Sequence, residues 1–143
     1  MAEQDLWQWL KKANLYVENL HMRRIENAAS SGDPDVIGCW KGVYFELELK
    51  VCARPARLST SLQLKIQKSQ VVYHKTRALC GGNNWVLVKV GSGATASLYL
   101  VPGHYIDRLE QGISEYELSE IGWLVPDDKY AQIHVLHKIT MKV

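Results

Sequence analysis

The sequence is poor in the features that mark membrane, secreted and zinc-binding proteins. Its hydrophobic runs all fall short of the roughly 18 residues that a membrane-spanning helix needs. Its three cysteines, Cys39, Cys52 and Cys80, are odd in number and show no C-x-x-C spacing, so we expect free thiols in a reducing compartment. The acidic start, Met-Ala-Glu-Gln-Asp, does not resemble a signal peptide. These absences favour a cytoplasmic protein without a membrane anchor.

A strong excess of charge of one sign is also absent. The net charge of +2 permits nucleic-acid binding but does not argue for it. Hydrophobic residues make up 47% of the chain and charged residues 22%, which is the balance of a globular protein. The sequence contains no internal repeat, low-complexity tract or linker, and its length suits one hydrophobic core. We therefore expect residues 1–143 to form a single domain.

The spacing of hydrophobic residues predicts a sheet with helices around it. The predicted elements are a helix capped by Asp5, strands at 21–27, 36–39 and 43–51, a helix at 68–79, strands at 85–90 and 95–101, a short helix at 104–112, and a strand or helix near the C-terminus. In the helix at 68–79, Val72, Thr76 and Leu79 are predicted to face inward, and Gln70, His74 and Arg77 form a second stripe. The five tryptophans are expected mostly in the core, and Trp40, in the turn at 40–42, is the candidate for exposure.

The strand at 43–51 combines a hydrophobic face with a charged one. Phe45, Leu47 and Leu49 alternate on one side, while Glu46, Glu48 and Lys50 alternate on the other. Charged groups on so apolar a strand are costly unless they are paired or bind a metal. A tight turn joins this strand to the one before it, which begins after Pro34-Asp35. The hairpin therefore predicts that Asp35 lies near Glu48 and Lys50, as in a functional site.

Other interpretations of the same residues remain open at this point. Asp33 could take the place of Asp35, and Glu46 could pair with Glu48 as a ligand. An aspartate after a proline is also a common turn residue. Glu48 and Lys50 could form an exposed salt bridge worth only about 0–1 kcal/mol.

Four segments, in this order and on these elements, resemble the PD-(D/E)xK nuclease superfamily. More narrowly, they resemble its virus-type replication-repair nuclease family (VRR-NUC), which includes phage proteins similar to Holliday junction resolvases. The segments are Arg24-Ile25-Glu26-Asn27, Gly32-Asp33-Pro34-Asp35-Val36, Glu48-Leu49-Lys50-Val51, and Ser69-Gln70-Val71-Val72-Tyr73-His74 running to Gly81-Gly82. They cover roughly residues 20–90, and residues 102–143 have no counterpart. The resemblance implies an α/β (α+β) restriction-endonuclease-like core, with a central mixed β-sheet flanked by helices in the order α-β-β-β-α-β.

The resemblance also implies a Mg²⁺ or Mn²⁺ site that hydrolyses phosphodiester bonds. Asp35, Glu48 and the backbone carbonyl of Leu49 would supply the oxygen ligands that Mg²⁺ prefers. Lys50 would position or deprotonate the attacking water or neutralise the transition state. Gln70 matches a family glutamine that orients the catalytic groups. Glu26 is either a further ligand or the partner of a neighbouring arginine.

The implied partner is DNA, and no nucleotide cofactor is implied. The residues expected to contact DNA are Arg24, Arg54, Arg57, Lys68, His74 and Arg77. No helix-turn-helix or zinc-finger pattern is present, so sequence-specific recognition is not supported. The expected function is structure-selective cutting of branched DNA by a homodimer in a phage-infected or bacterial cytoplasm. The alternative is a nuclease-fold DNA-binding subunit or a nickase without junction preference.

Overall fold

The computed structural model describes residues 3–26 and 32–141 of the chain. Its helices are α1 (Glu3–Lys11), α2 (Lys68–Leu79), α3 (Ile106–Gln111), α4 (Glu115–Ile121) and α5 (Ala131–Thr140). Its strands are β1 (His21–Arg24), β2 (Val36–Trp40), β3 (Val43–Cys52), β4 (Asn84–Val90), β5 (Ser97–Pro102) and β6 (Trp123–Leu124). Short 3₁₀ turns occupy Lys12–Leu15, Gly93–Thr95 and Gly103–Tyr105.

The six strands form one mixed sheet in the order β1-β2-β3-β4-β5-β6. The pairing of β3 with β4 is parallel and the other pairings are antiparallel. A parallel pair needs a crossover connection, which α2 supplies. The order α-β-β-β-α-β at the start of the chain is therefore as predicted.

Helices cover both faces of the sheet. On one face, Leu6 and Leu10 of α1 and Leu136 of α5 share a core with Leu47 and Leu49 of β3. On the other face, a second core joins the opposite sides of β4 and β5 to α3 and α4. This coverage explains why β4 is a nearly continuous apolar run, as the sequence predicted. None of the helices in the described ranges is long and apolar enough to cross a bilayer.

Several predicted boundaries were wrong. Helix α1 begins at Glu3, so Asp5 lies inside its first turn and is not its cap. The first strand ends at Arg24, and the tail of its predicted range at Asn27 lies outside the described residues. The element predicted as a strand or a helix near the C-terminus is the helix α5, in agreement with the second alternative. Helix α4 was missed, although Ser114 and Glu117 form a capping box at its start that the sequence could have revealed.

The orientation predicted for α2 was also wrong. Val72 and Leu79 are 65% and 89% exposed, while His74 is fully buried. The polar stripe faces the sheet because the strands beneath it carry buried polar groups, Glu48 and Asn84, that need hydrogen-bonding partners. Trp40 is buried as well, since it belongs to the core on the α1 face, where its indole stacks on the His137 ring.

Candidate active site

The β2–β3 hairpin brings Asp35 to Glu48. Val36 pairs with Leu47, so Asp35, the residue before Val36, lies opposite Glu48. Because β2 ends there, the backbone amide of Leu49 has no partner on β2 and donates to Asp35 Oδ2 over 2.8 Å. The carbonyl of Asp35 accepts from the Ile25 amide, also at 2.8 Å, which anchors the residue on its other side. The two carboxylates predicted to meet therefore do so.

Glu48 is fully buried and accepts hydrogen bonds from two α2 side chains. Gln70 Nε2 donates to Oε2 over 2.9 Å, and His74 Nε2 lies 3.1 Å from Oε1. The two α2 residues are four positions apart, so they lie on the same face of the helix. Helix α2 thus fixes both oxygens of the carboxyl group.

Gln70 links the carboxylate to the lysine. Its Oε1 accepts from the backbone amide of Gln67 at 2.9 Å, which closes the first turn of α2, and from Lys50 Nζ at 3.2 Å. A backbone amide can only donate, so the orientation of the Gln70 side chain is determined and its Nε2 must face Glu48. Lys50 is buried and also donates to the Lys65 carbonyl over 2.6 Å. These two acceptors use two of the three ammonium protons.

The tautomer of His74 follows from its other neighbour. Asn84 Nδ2 lies 3.0 Å from the His74 carbonyl oxygen and 2.9 Å from His74 Nδ1. Because the carbonyl can only accept, the Asn84 group is the donor, and Nδ1 must accept as well. The ring proton is then on Nε2, which donates to Glu48. Asn84 was not predicted, although a polar residue opening an apolar strand is a signal that could have been followed.

Gly103 keeps Asn84 in place through close contact. A Cβ at position 103 would lie 2.2 Å from Asn84 Nδ2 and 2.7 Å from its backbone oxygen. No side chain fits in that space without displacing Asn84. Gly103 therefore leaves the space that the Asn84 side chain occupies. Nothing in the sequence indicated this role.

The pKa values of Glu48 and His74 are shifted in opposite directions. Desolvation, the neighbouring charge of Asp35 and a hydrogen bond between the two carboxyl groups raise the pKa of Glu48 to about 10. Burial lowers the pKa of His74 to about 4, so its ring is neutral at pH 7. A neutral donor on Nε2 agrees with the tautomer required by Asn84. The contact between His74 and Glu48 is therefore a hydrogen bond and not an ion pair.

The chemistry of Asp35 and Glu48 fits a divalent cation. Two adjacent carboxyl groups, one of them fully buried, repel when both are ionised, and a cation would relieve that cost. Mg²⁺ is commonly held by one or two carboxylates together with phosphate oxygens and waters. The backbone amide of Leu49 points to Asp35. The amide and the carbonyl of one strand residue point to the same side of the strand, so the Leu49 carbonyl also points towards Asp35.

Glu26 does not complete this set. It is exposed, and the described residues contain no group of three or more His, Cys, Asp or Glu side chains placed around one ion. Glu46 is occupied elsewhere, since its Oε2 accepts from the Tyr73 hydroxyl at 2.7 Å and from Arg77 at 3.1 Å. Among the carboxylates of β3, Glu48 is thus the one that meets Asp35.

Three residues expected to contact DNA are placed unfavourably for it. His74 has no exposed surface. Arg24 pairs with Val36, whose side chain is in the α1 core, so it lies on the face of the sheet opposite the carboxylates. Arg54 donates to Glu115 through Nε at 2.9 Å and through Nη2 at 3.0 Å, and also to Ser97 and Thr95. Its role is to join the end of β3 to β5 and α4.

The other three basic residues remain available at the surface. Lys68 begins α2 two residues before Gln70, and its side chain is 85% exposed although it pairs with Glu110. Arg77 is 53% exposed and is held by Glu46 and Tyr73. Arg57 is exposed in the loop between β3 and α2.

Comparison with solved structures identifies the architecture. The structure of Hjc from Archaeoglobus fulgidus, a Holliday junction resolvase from an archaeal hyperthermophile, superimposes with a TM-score of 0.55. The match covers 92% of this chain and 96% of that one, at 21% sequence identity. The chain has the restriction-endonuclease-like fold. The predicted fold class is therefore confirmed, and the match includes residues after 102, for which the sequence offered no counterpart. No protein-family model and no curated protein matches the sequence.

Proposed function

We propose that this protein is a metal-dependent endonuclease that hydrolyses phosphodiester bonds in DNA, with branched DNA as its preferred substrate. The observation that carries the proposal is the meeting of Asp35 and Glu48 at the edge where β2 ends, with Lys50 on the same face. The fold shared with an archaeal resolvase supports a nuclease. The virus-type family assignment rests on the sequence motifs alone and is part of the proposal.

Asp35, Glu48 and the Leu49 carbonyl would hold Mg²⁺ or Mn²⁺. The bound ion would lower the pKa of water and offset negative charge on the phosphate. Gln70 and His74 orient Glu48, so that the carboxylate does not need to reorganise when substrate arrives.

Lys50 completes the site as a buried cation. With two of its protons held by the Lys65 carbonyl and by Gln70, the third is free to donate to a phosphate oxygen or to the attacking water. A fixed positive charge in a site with little water stabilises developing negative charge more strongly than one at the surface.

The test is cleavage of labelled four-way junction, flap, duplex and single-stranded DNA with Mg²⁺, Mn²⁺ or EDTA. We expect metal-dependent cutting that is fastest on branched DNA. Asp35→Asn should abolish cutting while DNA binding survives, and Lys50→Met should slow it about 10²–10³-fold.

Two substitutions outside the proposed site serve as matched controls. Asp33→Asn, two residues before Asp35, should cut normally, which would also exclude Asp33 as the alternative ligand. Lys11→Met, an exposed lysine on the opposite face of the sheet, should cut normally too. Binding of junction DNA without cutting in any metal would support a DNA-binding subunit and reject the nuclease.

Cutting of a four-way junction requires two active sites, and a symmetric homodimer would supply them. The mass in solution, measured by light scattering, tests this part of the proposal. Paired incisions by a protein that is monomeric at micromolar concentration would contradict it.

A further inference from the structure

A groove lies on the same face of the sheet as Asp35 and Glu48. The pairing of β2 with β3 places two further rows beside the carboxylates, first Ile37 with Glu46 and then Cys39 with Tyr44. A cavity of about 380 Å³ lies over these rows. Glu46 belongs to the lining of this cavity, and it is the neighbour of Glu48 on one face of β3.

The floor of the groove is apolar and its rim is aromatic and basic. Ile37 and Cys39 are half-buried in the floor. Tyr44 is 79% exposed at the far end, about 13 Å along the strand from Glu48. Arg77 stands at the wall formed by α2, and His21 on β1 is exposed at the opposite side. An aromatic ring and a guanidinium group beside a nonpolar floor are components of a site for single-stranded nucleic acid.

The groove is preformed. Asn83 Nδ2 donates to the Tyr44 carbonyl over 3.1 Å and to the Ile139 carbonyl over 2.9 Å, which fixes the loop after α2 against β3. Arg77 donates through Nε to Tyr73 and through Nη2 to Glu46, so its guanidinium is held at the wall and the Glu46 charge is offset. A rigid site loses little conformational entropy when a ligand binds.

We propose that this groove binds the unpaired nucleotides of a single-stranded DNA arm that continues from the scissile phosphate, with a base stacked on Tyr44. The proposal rests on the nuclease function proposed above and names the part of the substrate that the site recognises. Bases inside a duplex are stacked and paired, so they present neither a free face to Tyr44 nor an apolar edge to the floor. An unpaired base presents both. The volume is large enough for one base, since small-molecule sites range from about 300 to 1,000 Å³.

The first experiment measures binding without cutting. Fluorescence anisotropy in EDTA would compare a short oligothymidine, a blunt duplex and a duplex with a single-stranded tail. We expect the wild-type protein to bind the oligothymidine and the tailed duplex more tightly than the blunt duplex. Tyr44→Ala should weaken binding of the oligothymidine about tenfold, the equivalent of one lost stacking contact, and Tyr44→Trp should retain it.

Tyr116→Ala is the matched control. Tyr116 is 63% exposed on α4, so it offers a similar ring outside the groove. Its removal should leave binding of the oligothymidine unchanged. Because both tyrosines are exposed, neither substitution is expected to affect folding. Equal losses of oligothymidine affinity in the two variants, or no loss of affinity in Tyr44→Ala, would overturn the groove as the binding site.

The second experiment locates the bound strand. Saturating oligothymidine should slow alkylation of the Cys39 thiol on the floor of the groove, and blunt duplex should not. An unchanged alkylation rate would overturn the proposal. Cutting by the wild-type protein, combined with full single-strand affinity in Tyr44→Ala, would overturn the groove and leave the nuclease standing. A tenfold effect of Tyr44→Ala without cutting in any metal would reject the nuclease and leave the single-strand site standing.

Discussion

His74 Nε2 donates a hydrogen bond to Glu48 Oε1 over 3.1 Å, and both side chains are fully buried. The two residues are 26 positions apart in sequence, one on a helix and the other on a strand. A neutral histidine that donates to a buried carboxyl group fixes the orientation of that group without adding charge. His74, Asn84 and Gly103 therefore act by holding Glu48 in place.

The first prediction concerns that support. His74→Ala removes one of the two donors to Glu48, and partners of metal ligands typically contribute about 10–100-fold to metal affinity. We expect the variant to bind Ca²⁺ or Mg²⁺ about 10–100-fold more weakly than the wild-type protein, as measured by isothermal titration calorimetry. His74→Gln, which keeps a neutral donor, should recover part of the affinity. Wild-type affinity in His74→Ala would show that Gln70 alone positions the carboxylate.

The second prediction concerns Gly103. A Cβ there would approach Asn84 Nδ2 to 2.2 Å, so Gly103→Ala must displace the side chain that sets the His74 tautomer. Overpacking of this kind destabilises by about 1–3 kcal/mol, measurable by urea unfolding, and cutting should fall with it. Gly42→Ala is the control, because its Cβ would meet open space although its φ of +77° favours glycine. It should leave cutting unchanged. Normal cutting by Gly103→Ala would contradict the role given to Asn84.

The third prediction is a dependence of stability on pH. Burial and Asp35 raise the pKa of Glu48 to about 10, so above the ordinary glutamate pKa the folded protein holds a proton that the unfolded chain has lost. Without metal, stability should therefore fall as the pH rises towards 10. Asp35→Asn removes one carboxylate and should raise stability at pH 9 by about 1 kcal/mol.

Denaturant unfolding in EDTA at several pH values would check the third prediction. Asp33→Asn serves as the control and should follow the wild-type curve. The same measurement with Mg²⁺ should show a smaller fall, because a cation favours the ionised carboxylates. A metal-free protein whose stability rises between pH 7 and pH 9 would contradict the coupling of the two carboxyl groups.

The fourth prediction concerns Arg54 and Glu115. The hydrogen bond from Arg54 holds the pKa of Glu115 below its ordinary value, and Tyr99 donates to the same carboxylate over 2.8 Å. A lowered pKa contributes stability that is present above the unfolded value and is lost as the pH falls through the folded one. Glu115→Gln should cost about 2–3 kcal/mol at pH 7 and less in acid. Glu120→Gln, at an exposed position on the same helix, is the control for the negative charge. A loss that is independent of pH would contradict this account.

Much of the fold follows from local rules. Alternation along β3 predicted which side chains face the core, and the tight hairpin predicted that Asp35 meets Glu48. Both inferences hold because strand geometry and a two-residue turn leave little freedom in register. The extent of α2 was predicted for a similar reason, since the glycines at 81 and 82 end the helix.

The inward face of α2 could not be predicted in this way. Hydrophobic spacing selected Val72 and Leu79, yet the buried residue is His74. A helix turns polar groups inward only when another element offers them partners, and those partners, Glu48 and Asn84, belong to strands before and after it. Arg54 was misplaced for the same reason, because its acceptor on α4 is 61 positions away.

By itself, the sequence determined the hairpin, the pair of carboxylates and the lysine beside them, because these depend on short-range backbone geometry. Only the tertiary structure decided how that pair is supported. It turned the polar face of α2 onto the sheet, placed Asn84 behind His74 and left the groove ending at Tyr44 uncovered. Buried polar groups must be matched one by one, and the match depends on which distant segments meet.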